Sequence, residues 1–370
     1  MKCAVCGTGR VILKRMKNQE PVCKECFLRC FEDEVYEAIV QSNLFKKKEI
    51  VAIGASGGKD STCLIHVLHT INQRYQMELD LRLVAVDEGI AGYRNHSLNC
   101  VEENAKIYGL PLTIISFKEL FGYTMDEINA VVGEKKSKCT HCGVFRRKAL
   151  DIGCEKIGAE IIALGHNADD IAETVLMNLF RGDVGRLERT CEIRSGSDIT
   201  PDLLTKLQEE MKSHPAMVEY VDQRQYPFGL TPKVKPFKYA YQREIVLYVH
   251  YLQLKYFSVE CTYAPVSFRG YARQFLLKSQ AIDSSIIMNI VHSGERMKLM
   301  PQFANRAGDK SIMKLCTRCG FVSSQHLCQS CLLLDQLIRD DPAHPQNIDC
   351  IARSAHVLSN PLPDIEDTGG

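Results

Sequence analysis

The sequence predicts an α/β protein in which a doubly wound parallel sheet is flanked by two small cysteine-rich modules. An apolar, β-branched run at 50–53 stops at a Gly-rich turn, and a helical repeat of apolar residues follows at once. Strand-like runs then alternate with helical patterns through the middle of the chain, which favours parallel strands joined by helices. Cysteine pairs with two residues between them occur near both ends.

The composition indicates a soluble intracellular protein. A chain of 370 residues predicts two or three domains, and its 45% hydrophobic and 25% charged residues are ordinary for globular proteins. There is no signal pattern and no long apolar span, so we expect a cytoplasmic protein that does not enter a membrane. The net charge of +1 means that any nucleic-acid surface is a local patch. Seventeen cysteines in such a chain indicate metal ligands more than disulfides.

The first module is predicted over residues 1–30. Its four cysteines have the spacing of a structural zinc site: Cys3, Cys6, Cys23 and Cys26. The alternative, buried thiols in a small core, is disfavoured because so short a segment cannot build a core alone. A helix is expected from about Phe27 to Phe45.

The Gly-rich turn has the geometry of a phosphate-binding loop, because its glycines admit an anion to the backbone and a helix N-terminus follows. It is not a Walker loop: Ile53 stands where that pattern needs glycine, and Asp60 follows Lys59. The candidate nucleotide-binding residues of this turn are Ala55, Ser56, Gly57, Gly58, Asp60 and Ser61, with Lys59 as a catalytic candidate.

Three more strands are expected at 81–87, 112–117 and 159–165, with a helix at about 96–108. Ligands of doubly wound sheets lie beyond the carboxyl ends of the strands. Ala55, Val86 and Gly165 all fall at such ends.

An internal cysteine pair, Cys139 and Cys142, begins a helix that runs to about Ile157, and Cys261 is supplied from far downstream. Three cysteines from distant segments suit an iron–sulfur cluster with one open coordination position. A third structural zinc ion, completed by His141 or a buried thiol, is the alternative, because spacing does not choose the metal.

Two adjacent carboxylates, Asp169 and Asp170, follow the strand at 159–165 and begin a helix. They are placed to hold Mg²⁺ or to orient a reacting group. Helix capping is the alternative, since Asp is favoured there in any case. Beside a phosphate loop, the functional interpretation is favoured for Asp170.

The region after the helix of Asp170 is less regular. Residues 194–227 are interpreted as a surface insertion with one short helical piece. Basic and aromatic residues at 233–241 indicate either an RNA-contacting surface or a loop with core aromatics. Arg269 and Arg273 lie four apart on one face of a helix, and a second helix is expected at about 283–300.

The catalytic domain is predicted over residues 31–300 and the carboxyl-terminal module over 310–335. Four cysteines of this module have the spacing of a second, tighter zinc site: Cys316, Cys319, Cys328 and Cys331. Residues 338–370 are polar with little periodicity and are predicted to be a disordered tail.

The string Ser56–Ser61 resembles the pyrophosphate loop of the ATP-pyrophosphatase (PP-loop) superfamily, which splits ATP into AMP and pyrophosphate. The order of both zinc sites, this loop, the internal cysteines, the segment 165–170 and the segment 269–273 resembles the two-zinc-finger tRNA 2-thiouridine synthetase family. The resemblance covers nearly all of residues 1–335. It departs at about 194–227, and at the pair Arg146 and Arg147, where some relatives carry Lys.

The resemblance implies the chemistry. ATP, with Mg²⁺, adenylates the C2 oxygen of a uridine, and sulfur displaces AMP. Lys59 would stabilise the pyrophosphate, Arg146 the α-phosphate, and Asp170 would orient the uridine or act as an acid or base. Val86 would hold adenine through its backbone. A [4Fe-4S] cluster on Cys139, Cys142 and Cys261 would hold the incoming sulfur, and the two terminal sites would hold structural zinc.

The partners implied are tRNA, a ubiquitin-like sulfur carrier ending in a thiocarboxylate, and a homologous partner subunit or a second copy of the chain. A cysteine persulfide is an alternative sulfur source. The favoured target is the wobble uridine U34, with U54 as the alternative.

Three rival functions remain open. A 2-thiocytidine synthetase shares the loop and the internal cysteines but not the paired terminal zinc sites. A non-catalytic RNA-binding zinc protein would not need an intact loop. An amidotransferase-like synthetase of a small molecule would not need three metal sites.

Overall fold

The computed structural model describes residues 2–133, 138–183, 186–187, 190–195, 201–214, 229–259, 261–263, 268–297 and 313–341. Within this part of the chain, no helix has the length and apolar composition that a bilayer crossing requires.

A five-stranded parallel sheet forms the centre of the protein. Its strands are β3 (Ile50–Gly54), β4 (Asp80–Asp87), β5 (Leu112–Ser116), β6 (Ile161–Ala163) and β7 (Lys233–Val234). They lie in the order β5-β4-β3-β6-β7, and every neighbouring pair is parallel. The chain builds outward from β3 on one side and then crosses to its other side at β6, so the doubly wound fold predicted from the sequence is confirmed. Two short hairpins flank the sheet: β1 (Leu13–Lys14) with β2 (Pro21–Val22), and β8 (Lys314–Leu315) with β9 (Val322–Ser323).

Twelve helices are described. They are α1 (Lys24–Gln41), α2 (Lys59–Arg74), α3 (Arg94–Tyr108), α4 (Phe117–Phe121), α5 (Met125–Val132), α6 (Lys138–Lys156), α7 (Ala168–Arg181), α8 (Pro201–Ser213), α9 (Gln242–Leu252), α10 (Phe268–Ile282), α11 (Ile286–Arg296) and α12 (Gln329–Asp340).

Helices cover both faces of the sheet. In β3, Val51 and Ile53 face a core built with α1, α2 and α9, whereas Ala52 faces the opposite core with α4, α5, α6 and α12. Alternate residues of one strand are therefore buried on opposite sides, which is why the strand is a continuous apolar run. This arrangement leaves the carboxyl edge of the sheet for a ligand.

Several boundaries differ from those predicted. Helix α1 begins inside the first cysteine module and runs across residue 30, where a domain boundary was expected. Helices α4 and α5 and strand β7 were not predicted. Helix α12 continues to Asp340, past the expected end of the second module and into the predicted tail, because Leu337 is buried in the core. The rest of that tail lies outside the described residues.

The predicted insertion at 194–227 contains α8, which packs against the carboxyl-terminal module. Leu207 and Met211 are buried in the same core as the module's cysteines. The His214 ring lies 3.0 Å from the Cys316 carbonyl oxygen, and Glu210 accepts from a backbone N–H of β8 at 3.4 Å. Helix α8 therefore supports the carboxyl-terminal module by direct packing. Residues 196–200 and 215–228 lie outside the described residues.

Candidate active site and metal centres

The Gly-rich turn connects the end of β3 to the first residue of α2. Gly57 has a φ of +72°, and a Cβ there would stand 2.4 Å from the carbonyl oxygen of Ser97. The Ser61 hydroxyl closes the turn: it accepts from the Ser56 N–H at 3.2 Å and donates to the Gly58 carbonyl at 3.0 Å. The first N–H groups of α2 have no carbonyl partner within the helix, so the turn offers donors and a positive dipole end to an anion.

A second loop, between β6 and α7, packs against this turn. A Cβ on Gly165 would stand 3.0 Å from the carbonyl carbon of Asp60, so a larger residue would push the two loops apart. The Asp60 carboxylate accepts from the Asn167 amide at 3.2 Å and lies 2.9 Å from the Lys59 ammonium. The side chain of Lys59 is thereby held beside the phosphate loop.

Strand β4 extends farther than β3 at this edge. Gly54 is paired with Val84, and the Ala55 N–H donates to the Val84 carbonyl at 2.9 Å, whereas β4 continues beyond this pair. Val86 therefore lies past the last paired residue of β3, with its backbone uncovered by that strand. It is half-buried and stands at the edge where a base can reach the sheet.

Two of the internal cysteines, Cys139 and Cys142, lie in the first turn and a half of α6, and the segment of Cys261 packs beside them. The Cys139 thiol donates to the Tyr263 carbonyl at 3.9 Å, which brings the segment of Cys261 against the helix. The Cys142 sulfur accepts from Arg146 Nη2 at 3.2 Å. Burial raises the pKa of the Cys142 thiol to about 11, and the Arg146 charge opposes that rise.

Arg146 also reaches the end of β4. Its Nε donates to Glu88 Oε1 at 2.8 Å, and Glu88 follows the last residue of that strand. The guanidinium therefore links the carboxyl edge of the sheet, at Glu88, to the sulfur of Cys142. The sequence predicted Arg146 as a site residue but not its carboxylate partner, because the two lie far apart in the chain.

Both terminal cysteine sets fit a zinc ion. Within each set the thiol sulfurs lie within 4.8 Å of one another: Cys3, Cys6, Cys23 and Cys26 in the first, and Cys316, Cys319, Cys328 and Cys331 in the second. Four thiolates bound about 2.3 Å from one zinc ion stand about 3.8 Å apart. The measured Sγ–Sγ distances are 3.9 Å in the first set and 3.5 and 3.8 Å in the second.

The internal set differs. Among the described residues, Cys139, Cys142 and Cys261 do not form a group with this single-ion spacing, with or without His141. A four-iron cluster is larger than one ion, and its thiolate ligands stand farther apart. Three thiols from two segments that do not share single-ion spacing are compatible with such a cluster.

The two adjacent carboxylates of α7 have different partners. Asn167 and Asp170 cap the helix reciprocally, with hydrogen bonds of 3.1 and 3.3 Å, and Asp170 also lies 3.7 Å from Arg269. Asp169 turns away and accepts from the Gln242 N–H at 2.8 Å. Burial raises the pKa of Asp169 to about 6. Capping is thus observed for Asp170, which at the same time faces a cation beside the phosphate loop.

The two arginines of α10 converge on a carboxylate that the sequence did not single out. Glu173 is almost fully buried; its oxygens lie 2.8 Å from Arg273 Nε and 3.5 Å from Arg269 Nε. Arg269 also donates to the Thr174 hydroxyl at 2.8 Å. The available signal was the position of Glu173, one turn after Asp170 on the same helix.

The lysines of the segment 233–241 are engaged by groups of the same chain. Lys233 and Lys238 form ion pairs with carboxylates of other elements, each with an N–O distance of 2.5 Å. Lys235 donates to two backbone carbonyls, and burial lowers its pKa to about 8. Phe237 is fully buried. Phe237 and Tyr241 thus belong to the core, whereas Tyr239 is 37% exposed.

Comparison with known families gives two matches. Residues 29–279 match the PP-loop domain family, and residues 314–344 match the zinc-ribbon family.

Curated proteins named cytoplasmic tRNA 2-thiolation protein 1 are similar over most of the chain. The protein of Malassezia globosa is 46% identical over 92% of this chain and 88% of its own length. The Saccharomyces cerevisiae S288c protein is 45% identical over 90% and 86%, and the Xenopus laevis protein 46% identical over 92% and 90%. Among solved structures, the U34-tRNA thiolase NcsA from Methanococcus maripaludis with its [4Fe-4S] cluster has a TM-score of 0.68 at 26% identity, covering 91% of this chain and 96% of that one.

Proposed function

This chain belongs to the family of the cytoplasmic tRNA 2-thiolation protein 1, with a PP-loop domain, and we propose that it replaces the C2 oxygen of a tRNA uridine with sulfur. It is an ATP-dependent tRNA sulfurtransferase that acts in the cytoplasm. The 2-thiocytidine, small-molecule and non-catalytic alternatives are not favoured.

One observation carries the proposal. Arg146 connects Glu88, at the nucleotide edge of the sheet, to the sulfur of Cys142, with hydrogen bonds of 2.8 and 3.2 Å. A PP-loop enzyme that only adenylates its substrate needs no thiols there. A thiolase needs activated substrate and sulfur within reach of each other, and this contact supports that arrangement.

The residues divide the chemistry among them. The C2 carbonyl of uridine is a poor electrophile, so its oxygen attacks the α-phosphorus of ATP and pyrophosphate leaves. The N–H groups of Ser56–Ser61 and the Lys59 ammonium would stabilise that leaving group. Arg146 would neutralise charge at the α-phosphate. Sulfur then adds to C2 and AMP departs, with Asp170 orienting the uridine or moving its proton.

Mg²⁺ would accompany the triphosphate, and ligation of that ion is the alternative role of the Asp170 carboxylate. Zinc would fill both terminal sets, where it stabilises small modules that have little core of their own. A [4Fe-4S] cluster would be held by Cys139, Cys142 and Cys261, and when bound it would supply an iron position open to a sulfur ligand.

The partners beyond tRNA are part of the proposal. The sulfur donor is a ubiquitin-like carrier ending in a thiocarboxylate, and the enzyme works with a homologous subunit or a second copy of itself. The target is the wobble uridine, which the name of the U34-tRNA thiolase relative supports.

The test is anaerobic purification with iron, zinc and acid-labile sulfide counted per chain, alongside thiolation of unmodified tRNA. Cys261→Ala should lose iron, sulfide and thiolation while both zinc ions remain. Cys100→Ala, which removes a half-buried thiol of α3, is the matched control and should keep all of them. Wild-type protein that thiolates tRNA with no iron would refute the cluster and favour a cysteine persulfide. Wild-type protein that consumes ATP but never thiolates tRNA would refute the function.

A further inference from the structure

Helix α10 has one packed face and one exposed face. Arg269, Ala272, Arg273 and Leu276 lie on the packed side, where the arginines meet α7 and Ala272 and Leu276 are buried. The opposite side carries large apolar residues at helical spacing. Their exposed fractions are 44% for Phe268, 74% for Tyr271, 53% for Phe275 and 90% for Ile282.

The end of α7 extends this surface. Phe180 is 65% exposed, and the guanidinium of Arg181 lies 5.3 Å from the centre of the Phe268 ring. The residues that form the aromatic face, as we define it, are Phe268, Tyr271 and Phe275. A soluble protein rarely exposes this many large rings together without a partner for them.

The exposed cations beside the aromatic face are Lys278 of α10 and Arg181 in the last turn of α7. Arg269 and Arg273 are ion-paired with Asp170 and Glu173 on the packed side, and α10 itself contains no carboxylate. Two copies of the chain meeting through this surface would bring the exposed cations together, which is unfavourable. A polyanion complements them. Rings interleaved with cations are the features by which proteins hold unpaired nucleic-acid bases, through stacking and phosphate contacts.

The aromatic face begins at the edge of the active site. Arg269, in the first turn of α10, lies 3.7 Å from Asp170 and donates to Thr174. The same helix follows the segment of Cys261, which lies against α6. A strand of RNA leaving the uridine site along α10 would therefore meet Phe268 and Tyr271 first.

We propose that the aromatic face stacks unpaired bases of the tRNA loop next to the target uridine, with Tyr271 and Phe275 as the principal platforms. The inference rests on the proposed function and names the surface that holds its substrate. Every base has a π-face, so this surface binds loops tightly with little sequence preference.

The experiment uses the full chain and a fluorescently labelled stem–loop RNA with a uridine in its unpaired loop. Tyr271→Leu with Phe275→Leu keeps apolar area but removes the rings, and should weaken RNA binding by about 10- to 100-fold. Tyr271→Phe with Phe275→Tyr keeps the rings and should bind within about twofold of wild type. Ile282→Ala, on the same exposed side, should also leave RNA binding unchanged.

ATP binding and the unfolding midpoint should be equal in all four proteins, because these side chains are exposed. RNA binding by the leucine variant equal to that of wild type would overturn the inference alone. If the leucine variant keeps RNA binding but changes its mass in solution, or no longer binds the partner subunit, the aromatic face is a protein interface instead. Wild-type protein that neither binds nor thiolates tRNA would refute the proposed function and this inference with it.

Discussion

Replacing Gly57 by Ala tests whether the phosphate loop is held in shape by contact with α3. The new Cβ would stand 2.4 Å from the Ser97 carbonyl oxygen, and that carbonyl belongs to the backbone of α3. It cannot swing away as a side chain would, so the loop itself must move. The residue also has a φ of +72°, where any side chain is strained.

The magnitude follows from these two terms. The left-handed conformation costs a non-glycine residue about 1–2 kcal/mol. Overpacking against a fixed neighbour costs about 1–3 kcal/mol more. We therefore expect Gly57→Ala to lower the free energy of unfolding by about 2–5 kcal/mol. A loop displaced by about 1 Å should also lower the thiolation rate about 100-fold.

Gly58→Ala is the matched control, because it adds the same methyl group one residue later. Gly58 has a φ of −79° and a ψ of 167°, which any residue adopts, and its Cβ would meet only the Ser56 hydroxyl at 3.5 Å. Its free energy of unfolding should stay within about 1 kcal/mol of wild type. Urea denaturation without ATP measures both variants. Equal unfolding midpoints for the two would refute the idea that contact with Ser97 shapes the loop.

Three further predictions concern buried charge and the metal modules. Asp169→Asn should raise the free energy of unfolding at pH 7 by up to about 3 kcal/mol, because the pKa of Asp169 in the folded protein, about 6, lies above its usual 3.8. In wild type, the free energy of unfolding should fall as pH rises from about 4 to 6. Urea denaturation across this pH range should show that the variant lacks this fall. Cys319→Ser should lose one zinc ion per chain and speed hydrogen exchange in α8, because α8 packs against the module that the zinc ion holds together. Cys30→Ser should do neither. Unchanged hydrogen exchange in Cys319→Ser would contradict the packing of α8 on the module. Lys233→Met leaves the buried Asp151 carboxylate without its cation and should lower the free energy of unfolding by about 2–4 kcal/mol. Lys255→Met, which breaks an exposed ion pair with Glu103, should lower it by less than about 1 kcal/mol. Equal unfolding midpoints for the two variants would show that Lys233 is dispensable.

The features predicted correctly are those whose signals are local in sequence. The phosphate loop combines a β-branched strand, glycines and a helix start within thirteen residues, from Ile50 to Thr62. Strands β3 and β4 are largely apolar because both of their faces are covered, and the helices that follow them show an apolar repeat of 3.6 residues. The cysteine spacing predicted both terminal sets for the same reason, since each pair lies in one short turn.

The missed elements depend on partners that are distant in the chain. Strand β7 has only two residues and exists because Lys233 pairs with Ile162 and Val234 with Ala163. Helix α4 has five residues, too few for any periodicity. The position of Glu173 one turn after Asp170 was its only local signal, because the cations that pair with it come from α10.

The contrast between two segments explains why composition does not predict a nucleic-acid surface. Residues 233–241 and 268–275 both interleave basic and aromatic residues. Packing buries Phe237 and Tyr241 of the first segment, and its lysines contact carboxylates and carbonyls of the same chain. Only one side of α10 is packed, so its arginines are used inward while its rings stay outside. Exposure, which tertiary packing sets, therefore decides which of two similar sequences is available to RNA.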